Sequence, residues 1–325
     1  MKDALVDVPV VLYLWTRPEK LKKVFSVIRE AKPTKLFLIS DGAFRNNEND
    51  WALIQESRKV IEDIDWKCEV HKLFFEENNG LFKTFKLMSD FVFSKVDRYV
   101  FLEDDVVPAI SFFKYCEILL ERYKDDLRIN MISGMNHLGV YEEPTSDYFF
   151  ARGAVSIWGF AIWKRTYEKF YTFDFTRDNY YFNLLLNNAQ KFSGFKKLLK
   201  GYKVNEYFEG DLAGPELFLG VSSFLQNQLS IIPRYNMINN IGYGTGGRNF
   251  NVKKLLTRNV ASLFDMITYE IDFPLKHTDF VIEDKIYCNL VLKKLGVNNP
   301  LITKIELIYR QLMYRTLPRL LGIKG

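Results

Sequence analysis

The feature that most constrains this chain is an alternation of short apolar runs with amphipathic stretches across its first 133 residues. Val8–Trp15, Lys35–Ser40, Cys68–Phe75, Arg98–Leu102 and Arg128–Ser133 are rich in β-branched and aromatic residues, the composition of buried strands. Between the first two, Pro18 stands where a helical turn begins, and Leu21, Val24, Phe25 and Ile28 follow at helical spacing. Further helices are predicted up to about Asp63, from Gly80 to about Ser94 and over Ser111–Lys124. Repeated strand–helix alternation predicts an α/β fold with a mostly parallel, Rossmann-like sheet flanked by helices.

In such sheets ligands gather at the carboxyl ends of the strands. The polar residues at those ends are Thr16, Arg17, Asp41, Asn78, Asn79 and the triplet Glu103-Asp104-Asp105. Three consecutive carboxylates at the tip of an apolar strand suit a hard divalent cation, because Mg²⁺ and Mn²⁺ take one or two carboxylates together with substrate phosphates. An acidic turn that caps the following helix is the other reading of the same residues, and Asp41-Gly42 is by itself an ordinary turn signal.

Past Asn136 the pattern loosens. Ala154–Trp163 is apolar, a helix is predicted from about Lys164, and helical stretches follow near Tyr180–Lys200 and Glu216–Gln226. Leu229–Ile232 reads as a short strand, and Tyr243–Gly247 as a Gly-rich loop that ends at Arg248. The segment Leu301–Gly325 mixes Leu and Ile with Lys304, Arg310, Arg315, Arg319 and Lys324, which makes a basic amphipathic tail. Most of that tail is expected to pack on the domain, with its final turn available to lipid as a peripheral membrane contact.

Charge and composition exclude several classes. A net charge of +5, spread along the chain, suits an anionic substrate but gives no basic stripe for nucleic acid. Cys68, Cys116 and Cys288 lack metal-ligand spacing and point to a reducing compartment. Three histidines, His71, His137 and His277, leave little material for a His-rich zinc site. The run Val8–Trp15 is too short for a signal peptide, and no stretch reaches the roughly 20 apolar residues that span a bilayer. The expected location is the cytoplasm, with peripheral contact at the inner face of the membrane.

Several motifs occur in order along the chain. Phe101-Leu102-Glu103-Asp104-Asp105-Val106-Val107-Pro108 resembles the acidic metal-binding motif of GT-A glycosyltransferases, in the form found in N-acetylglucosaminyltransferase I and related bacterial sugar transferases. Leu14-Trp15-Thr16-Arg17-Pro18, Ile39-Ser40-Asp41-Gly42, Asn79-Gly80-Leu81, Ile132-Ser133-Gly134-Met135-Asn136, the stretch from Ile157 to Arg165 and Pro233–Gly244 are similar to the same bacterial group. Together they span residues 8 to about 245.

This resemblance implies a GT-A catalytic domain over 1–250, with a nucleotide-sugar half at about 1–136 and an acceptor half at about 137–250. Residues 251–325 would form a C-terminal helical and basic extension. It also implies an inverting transferase that uses a UDP-sugar, UDP-GlcNAc foremost, with Mn²⁺ or Mg²⁺. The acceptor would be a glycan or lipid-linked saccharide in the assembly of bacterial surface polysaccharide such as capsule or lipopolysaccharide. Thr16, Arg17 and Asp41 would hold the uridine, with Asn79 and Lys83 near the base or ribose. Asp105 would meet the metal, Asp104 the metal or ribose, and Glu103 would stand beside the nucleotide.

Trp158 and Gly159 would wall the donor sugar, a glycine there allowing close backbone approach. Such a reaction needs a base for the acceptor hydroxyl. The resemblance places it at Glu216, with Asp211 as runner-up, although both also suit a helix start. Relatives often carry a His after the glycine loop; here Arg248 stands near that place and could grip the diphosphate.

Two other classes share some of these features. A sugar-phosphate nucleotidyltransferase usually has a Gly-rich basic loop after its first strand, where this chain reads Thr16-Arg17-Pro18-Glu19. A non-catalytic glycan- or nucleotide-sugar-binding protein of the same fold would have less need of the acidic triplet.

Overall fold

β1 (Val6–Leu14) is the organising strand, paired in parallel with β2 (Pro33–Ser40) on one side and β4 (Arg98–Glu103) on the other. The computed structural model describes residues 1–153, 156–171, 178–188, 219–220, 223–242, 252–297 and 299–316. Proline in a central strand would ordinarily break a ladder. Pro9 is accommodated because pairing with β4 starts only at Val10↔Val100, and the β2 register shifts between Val6 and Pro9.

β1 is apolar almost throughout because both faces of the sheet are covered. Val10, Leu12 and Leu14 point into one core with Leu21, Val24, Phe25 and Ile28 of α1 (Pro18–Ala31) and with Phe112, Phe113 and Cys116 of α4 (Ser111–Arg122). Val11 points into the other with Phe85, Met88 and Val92 of α3 (Gly80–Phe93). At about 25 cal/mol per Å² of apolar surface removed from water, each fully buried Leu or Phe contributes about 2–3 kcal/mol.

The remaining strands are β3 (Glu69–Phe74), β5 (Val106–Pro108), β6 (Ile129–Ser133), β7 (Tyr148–Ala151), β8 (Phe160–Trp163), β9 (Leu229–Pro233) and β10 (Ile238–Asn240). Among the described residues the main sheet has eight strands in the order β3-β2-β1-β4-β8-β6-β9-β7. β1, β2, β3, β4, β6 and β9 run one way and β7 and β8 the other. The α/β architecture and mostly parallel sheet read from the sequence are therefore observed, with boundaries that differ by one or two residues. The sequence pattern did not signal β5, β7, β8 or β10 as strands; each is only three or four residues long.

α2 (Glu48–Val60) begins at Asn47, whose side chain accepts hydrogen bonds from Asn49 N and Asp50 N. α5 (Lys164–Tyr171) starts as predicted. α6 (Asn179–Asn188) is the described part of the helix predicted near 180–200. Only Leu219-Gly220 and the turn starting at Ser223 are described as helical from the stretch predicted at 216–226.

The C-terminal region is tied to the rest of the fold by polar and apolar contacts. Glu270 accepts hydrogen bonds from Ile110 N at 2.9 Å and Ser111 N at 2.8 Å, which satisfies open donors at the start of α4. α7 (Lys285–Lys294) buries Tyr287, Cys288 and Val291 against Tyr141, Phe149 and Ile232. α8 (Pro300–Gln311), by contrast, has no buried residue.

Candidate functional site

Parallel pairing brings the carboxyl ends of β1, β2 and β4 side by side, with Leu14 opposite Ser40 and Tyr13 opposite Glu103. The residues that follow converge: Trp15 to Arg17 after β1, Asp41 and Gly42 after β2, and Asp104 and Asp105 after β4. Trp15 N donates to Asp104 Oδ2 at 2.9 Å, and the Trp15 indole donates to Gly42 O at 3.0 Å. Trp15 thus fastens all three strand ends together.

Arg17 is the centre of the charge arrangement. Its Nη1 donates to Asp104 Oδ1 at 3.2 Å and also to Asp105 Oδ2. Both aspartates are 4% exposed, so one guanidinium compensates two buried carboxylates. Burial pushes the Asp104 carboxyl above the usual carboxylate range; Arg17 draws it down and Asp105 raises it further. Burial opposes the charge on Arg17, yet Asp104, Asp105 and Glu103 raise its pKa. The same carboxylates reach Tyr13, whose phenol is raised by burial and then by Asp41, Asp104 and Glu103.

Lys20 is a site residue that sequence reasoning missed. Its Nζ is shielded from solvent without a hydrogen-bond partner among the described residues. Burial and then the Arg17 charge lower its pKa, against attraction from Asp105, Asp104 and Asp265. A buried, unpaired ammonium beside a charge cluster is a ready contact for an incoming anion. The only sequence signal was its place three residues after Arg17, on the first turn of α1.

Asp41 is 1% exposed and is committed inward. Its Oδ1 accepts from Gly42 N at 3.0 Å and Asn79 N at 3.0 Å, and its Oδ2 accepts from Asn78 Nδ2 at 3.1 Å. Burial raises its pKa, while the N–H groups of Asn79 and Gly42 lower it. Asp41 therefore anchors the start of α3 to the end of β2 and holds Asn79 there, while Lys83 is exposed on the first turn of α3. Gly42 is required here by contact, because a Cβ would fall 2.7 Å from Glu77 O and 2.8 Å from the Glu76 carbonyl carbon. Thr16 is buried.

The turn after β4 is backed by a second element. β5 pairs antiparallel with β10, and Ile241 N donates to Asp105 O at 2.8 Å. Gly242 then lies against the Asp105 carboxylate, where a side chain would collide with Asp105 Oδ2 and Asn240 Oδ1. Pro233–Gly244 and the acidic turn, distant in sequence, thus meet at one place as far as residue 242 is described. Arg248, Asp211 and Glu216 lie outside the described residues.

Gly159 has φ +65°, and a Cβ there would collide with Ile238 of β10, as would one at Gly134. Ile238 therefore fills a hole framed by two glycines. This contact accounts for Gly159 through packing within the chain. Trp158 is half-buried and lies against Phe264, with ring centroids 4.8 Å apart.

The carboxylates that would meet a divalent cation at this turn are Asp105 and Asp104. Asp105 Oδ1 is buried and has no hydrogen-bond partner among the described residues, so one hard oxygen is available to a cation. The other oxygens are engaged with Arg17 and Trp15. No group of three His, Cys, Asp or Glu side chains suited to a metal occurs among the described residues. A cation here would depend on non-protein oxygens, as Mg²⁺ does when it is held by one or two carboxylates and phosphates.

No family model matches the sequence, and no curated protein matches it. Similar solved structures include a UDP-glucose pyrophosphorylase complexed with UDP-glucose, at 12% identity and TM-score 0.35, covering 72% of this chain and 94% of that one. The inositol-1-phosphate CTP transferase from T. maritima is 9% identical with TM-score 0.39, covering 89% and 96%. Mouse xyloside xylosyltransferase 1 in its apo form is 12% identical with TM-score 0.35, covering 70% and 84%. At such scores and identities, function has to be read from the residues of this chain.

Proposed function

We propose that this chain is a GT-A-type glycosyltransferase, inverting and metal-dependent, that moves a sugar from a UDP-sugar to a glycan or lipid-linked acceptor. The observation that carries the reading is the pair of buried carboxylates, Asp104 and Asp105, held by Arg17 where β1 and β4 end side by side. GlcNAc is the sugar favoured by the motif resemblance, and bacterial surface polysaccharide assembly is the setting it favours. The nucleotide-sugar half would be residues 1–136, and residues 137–250 would serve the acceptor.

Each residue has a defined task. Arg17 and Lys20 attract the diphosphate, and Arg248 adds a further fixed charge. Asn79 and Lys83 stand beside the base and ribose, oriented by the Asp41 anchor, with Thr16 and Glu103 completing the nucleotide side. Trp158 offers a ring to a sugar face. Asp105 and Asp104 would hold Mn²⁺ or Mg²⁺, which when bound supplies positive charge to a diphosphate leaving group.

In the transfer, Glu216 takes the proton of the acceptor hydroxyl, with Asp211 as the alternative base. The hydroxyl oxygen bonds to the anomeric carbon from the face opposite the diphosphate. The bond from that carbon to the β-phosphate oxygen breaks, and UDP leaves with the electron pair. Charge growing on that oxygen is offset by Arg17 and Lys20.

One observation favours a second version of the same activity. Arg17 already occupies an oxygen of each aspartate, the place a cation would take, and Lys20 Nζ has no partner among the described residues, so in this version Lys20 meets the diphosphate without a metal. Donor hydrolysis and transfer assays across UDP-sugars, with Mn²⁺ and with chelator, test both versions. Turnover with one UDP-sugar supports a transferase. Binding without hydrolysis or transfer to any glycan would leave a non-catalytic binder, and formation of UDP-sugar from UTP and sugar phosphate would indicate a nucleotidyltransferase.

A further inference from the structure

α8 is built the wrong way round for a helix on a water-soluble domain. A surface helix normally turns its apolar stripe to the core and its polar face to water. Here Thr303, Glu306 and Arg310, spaced i, i+3 and i+7, form the face turned to the protein. Thr303 Oγ1 donates to Gly296 O at 2.9 Å, Glu306 Oε1 accepts from Arg258 N at 2.8 Å, and Arg310 Nη1 donates to Lys254 O at 3.1 Å. Arg310 Nε also donates to Glu306 Oε1 at 2.8 Å.

The opposite face is apolar and exposed. Leu301 is 71% accessible, Ile302 66%, Ile305 59%, Ile308 49% and Tyr309 58%. At 100° per residue these five side chains occupy a continuous stripe roughly 120° wide. Exposed Leu312, Met313 and Tyr314 continue from its end in the π-helical turn Leu312–Thr316. Ile286 and Leu290 are exposed on α7 as well.

The charge of this region is as one-sided as its polarity. Residues 285–325 contain eight Lys or Arg and a single acid, Glu306, out of 45 basic and 40 acidic residues in the whole chain. The preceding 284 residues are therefore slightly acidic, with 37 basic and 39 acidic residues. Glu306 faces inward, and Lys285, Lys293 and Lys304 are exposed.

We infer that α8 docks on an anionic lipid surface, its apolar stripe entering the headgroup boundary and the flanking lysines meeting lipid phosphates. An interfacial helix combines these two features, an apolar face with basic flanks. A second copy of the chain is disfavoured as the partner, because a symmetric contact would set the same positive charges against each other. The inverted anchoring gives the helix a fixed orientation, since its polar bonds hold it to the domain while its apolar side is exposed among the described residues. This inference stands apart from the donor assignment; for a transferase with a lipid-linked acceptor it would also place the enzyme beside that acceptor.

The test is flotation of the full chain with vesicles of phosphatidylcholine alone or of phosphatidylcholine with phosphatidylglycerol, in the absence of nucleotide sugar. The expected result is binding to the phosphatidylglycerol vesicles, weakened at high salt as the Debye length falls from about 10 Å at 0.1 M to about 3 Å at 1 M. Ile305→Glu with Ile308→Glu should reduce binding at least about tenfold. These side chains are exposed, so melting temperature should hold in the double variant, and Lys304→Glu should weaken binding and flatten its salt dependence. Absence of flotation with anionic vesicles would overturn the proposal, as would flotation undiminished in the double variant. A concentration-dependent dimer dissolved by the same double variant would assign the face to a second copy and overturn it equally.

Discussion

Arg17 Nη1 donates to Asp104 Oδ1 at 3.2 Å and reaches Asp105 as well, so a single guanidinium offsets two carboxylates that are each 4% exposed. Two like charges cannot stay ionised side by side in a buried turn unless an opposite charge is held between them. The strand ends, the acidic turn and the basic N-terminus of α1 are thus one electrostatic unit.

Removing the Arg17 charge should destabilise the protein. Breaking a fully buried pair costs about 3–5 kcal/mol; Arg17 keeps 23% side-chain exposure, so about 2 kcal/mol or more is expected for Arg17→Ala. Chemical denaturation in chelator measures this. If a cation and Arg17 compete for the same oxygens, Mn²⁺ should raise the midpoint of Arg17→Ala more than that of the wild type. An equal rise in both proteins would show that Arg17 and the cation do not compete.

The pair Gly159 and Ile238 gives a packing prediction. Gly159→Ala places a methyl at φ +65° and against Ile238, and should cost more than about 1 kcal/mol. Ile238→Ala alone leaves a cavity and should cost about 2–5 kcal/mol. If the contact is the main reason for glycine, the double variant should be more stable than the sum of the two losses predicts. Additive losses would leave backbone conformation as the main cause.

His137 sets a pH dependence. Burial, with a smaller effect from Lys294, lowers its pKa from 6.5 to about 4. Between those values the unfolded chain binds a proton that the folded chain does not, so stability is present above pH 6.5 and is lost as the pH falls toward 4. The full loss is about 3 kcal/mol at 1.36 kcal/mol per pKa unit. The measurement is unfolding free energy at several pH values for the wild type and His137→Gln. The wild type should lose more stability on acidification than the variant, and parallel curves would refute the assignment.

The catalytic assignment beyond the described residues can be tested by rate. Glu216→Gln should lower kcat by about 10²–10⁴ with little change in donor affinity if Glu216 is the base. Asp211→Asn should then have a much smaller effect. The reverse order would transfer the role to Asp211.

The parts that the sequence made legible share a physical cause. β1, β2 and β4 are covered on both faces, so they read as continuous apolar runs, and the polar residues just beyond them were visible as strand ends. Pro18, with Leu21, Val24, Phe25 and Ile28, marked α1 for the same reason of periodicity. Lys20 escaped notice because an isolated lysine on an amphipathic helix has the pattern of a solvated surface residue. β10 was missed because three residues carry no period, yet its Ile238 backs Gly159, and Ile241 and Gly242 just after it back Asp105. The basic amphipathic character of the tail was legible, but its orientation was not. The tail was expected to pack on the domain without a stated face, and α8 is held there by Thr303, Glu306 and Arg310.

The most direct test of the central claim is calorimetric titration of UDP-sugars into the wild type and Asp105→Asn, each with and without Mn²⁺. One UDP-sugar should bind the wild type more tightly with Mn²⁺, and the Mn²⁺-dependent gain should disappear in Asp105→Asn while the fold persists. A well-folded wild type that binds no nucleotide sugar under either condition would rule out a nucleotide-sugar site at Asp105.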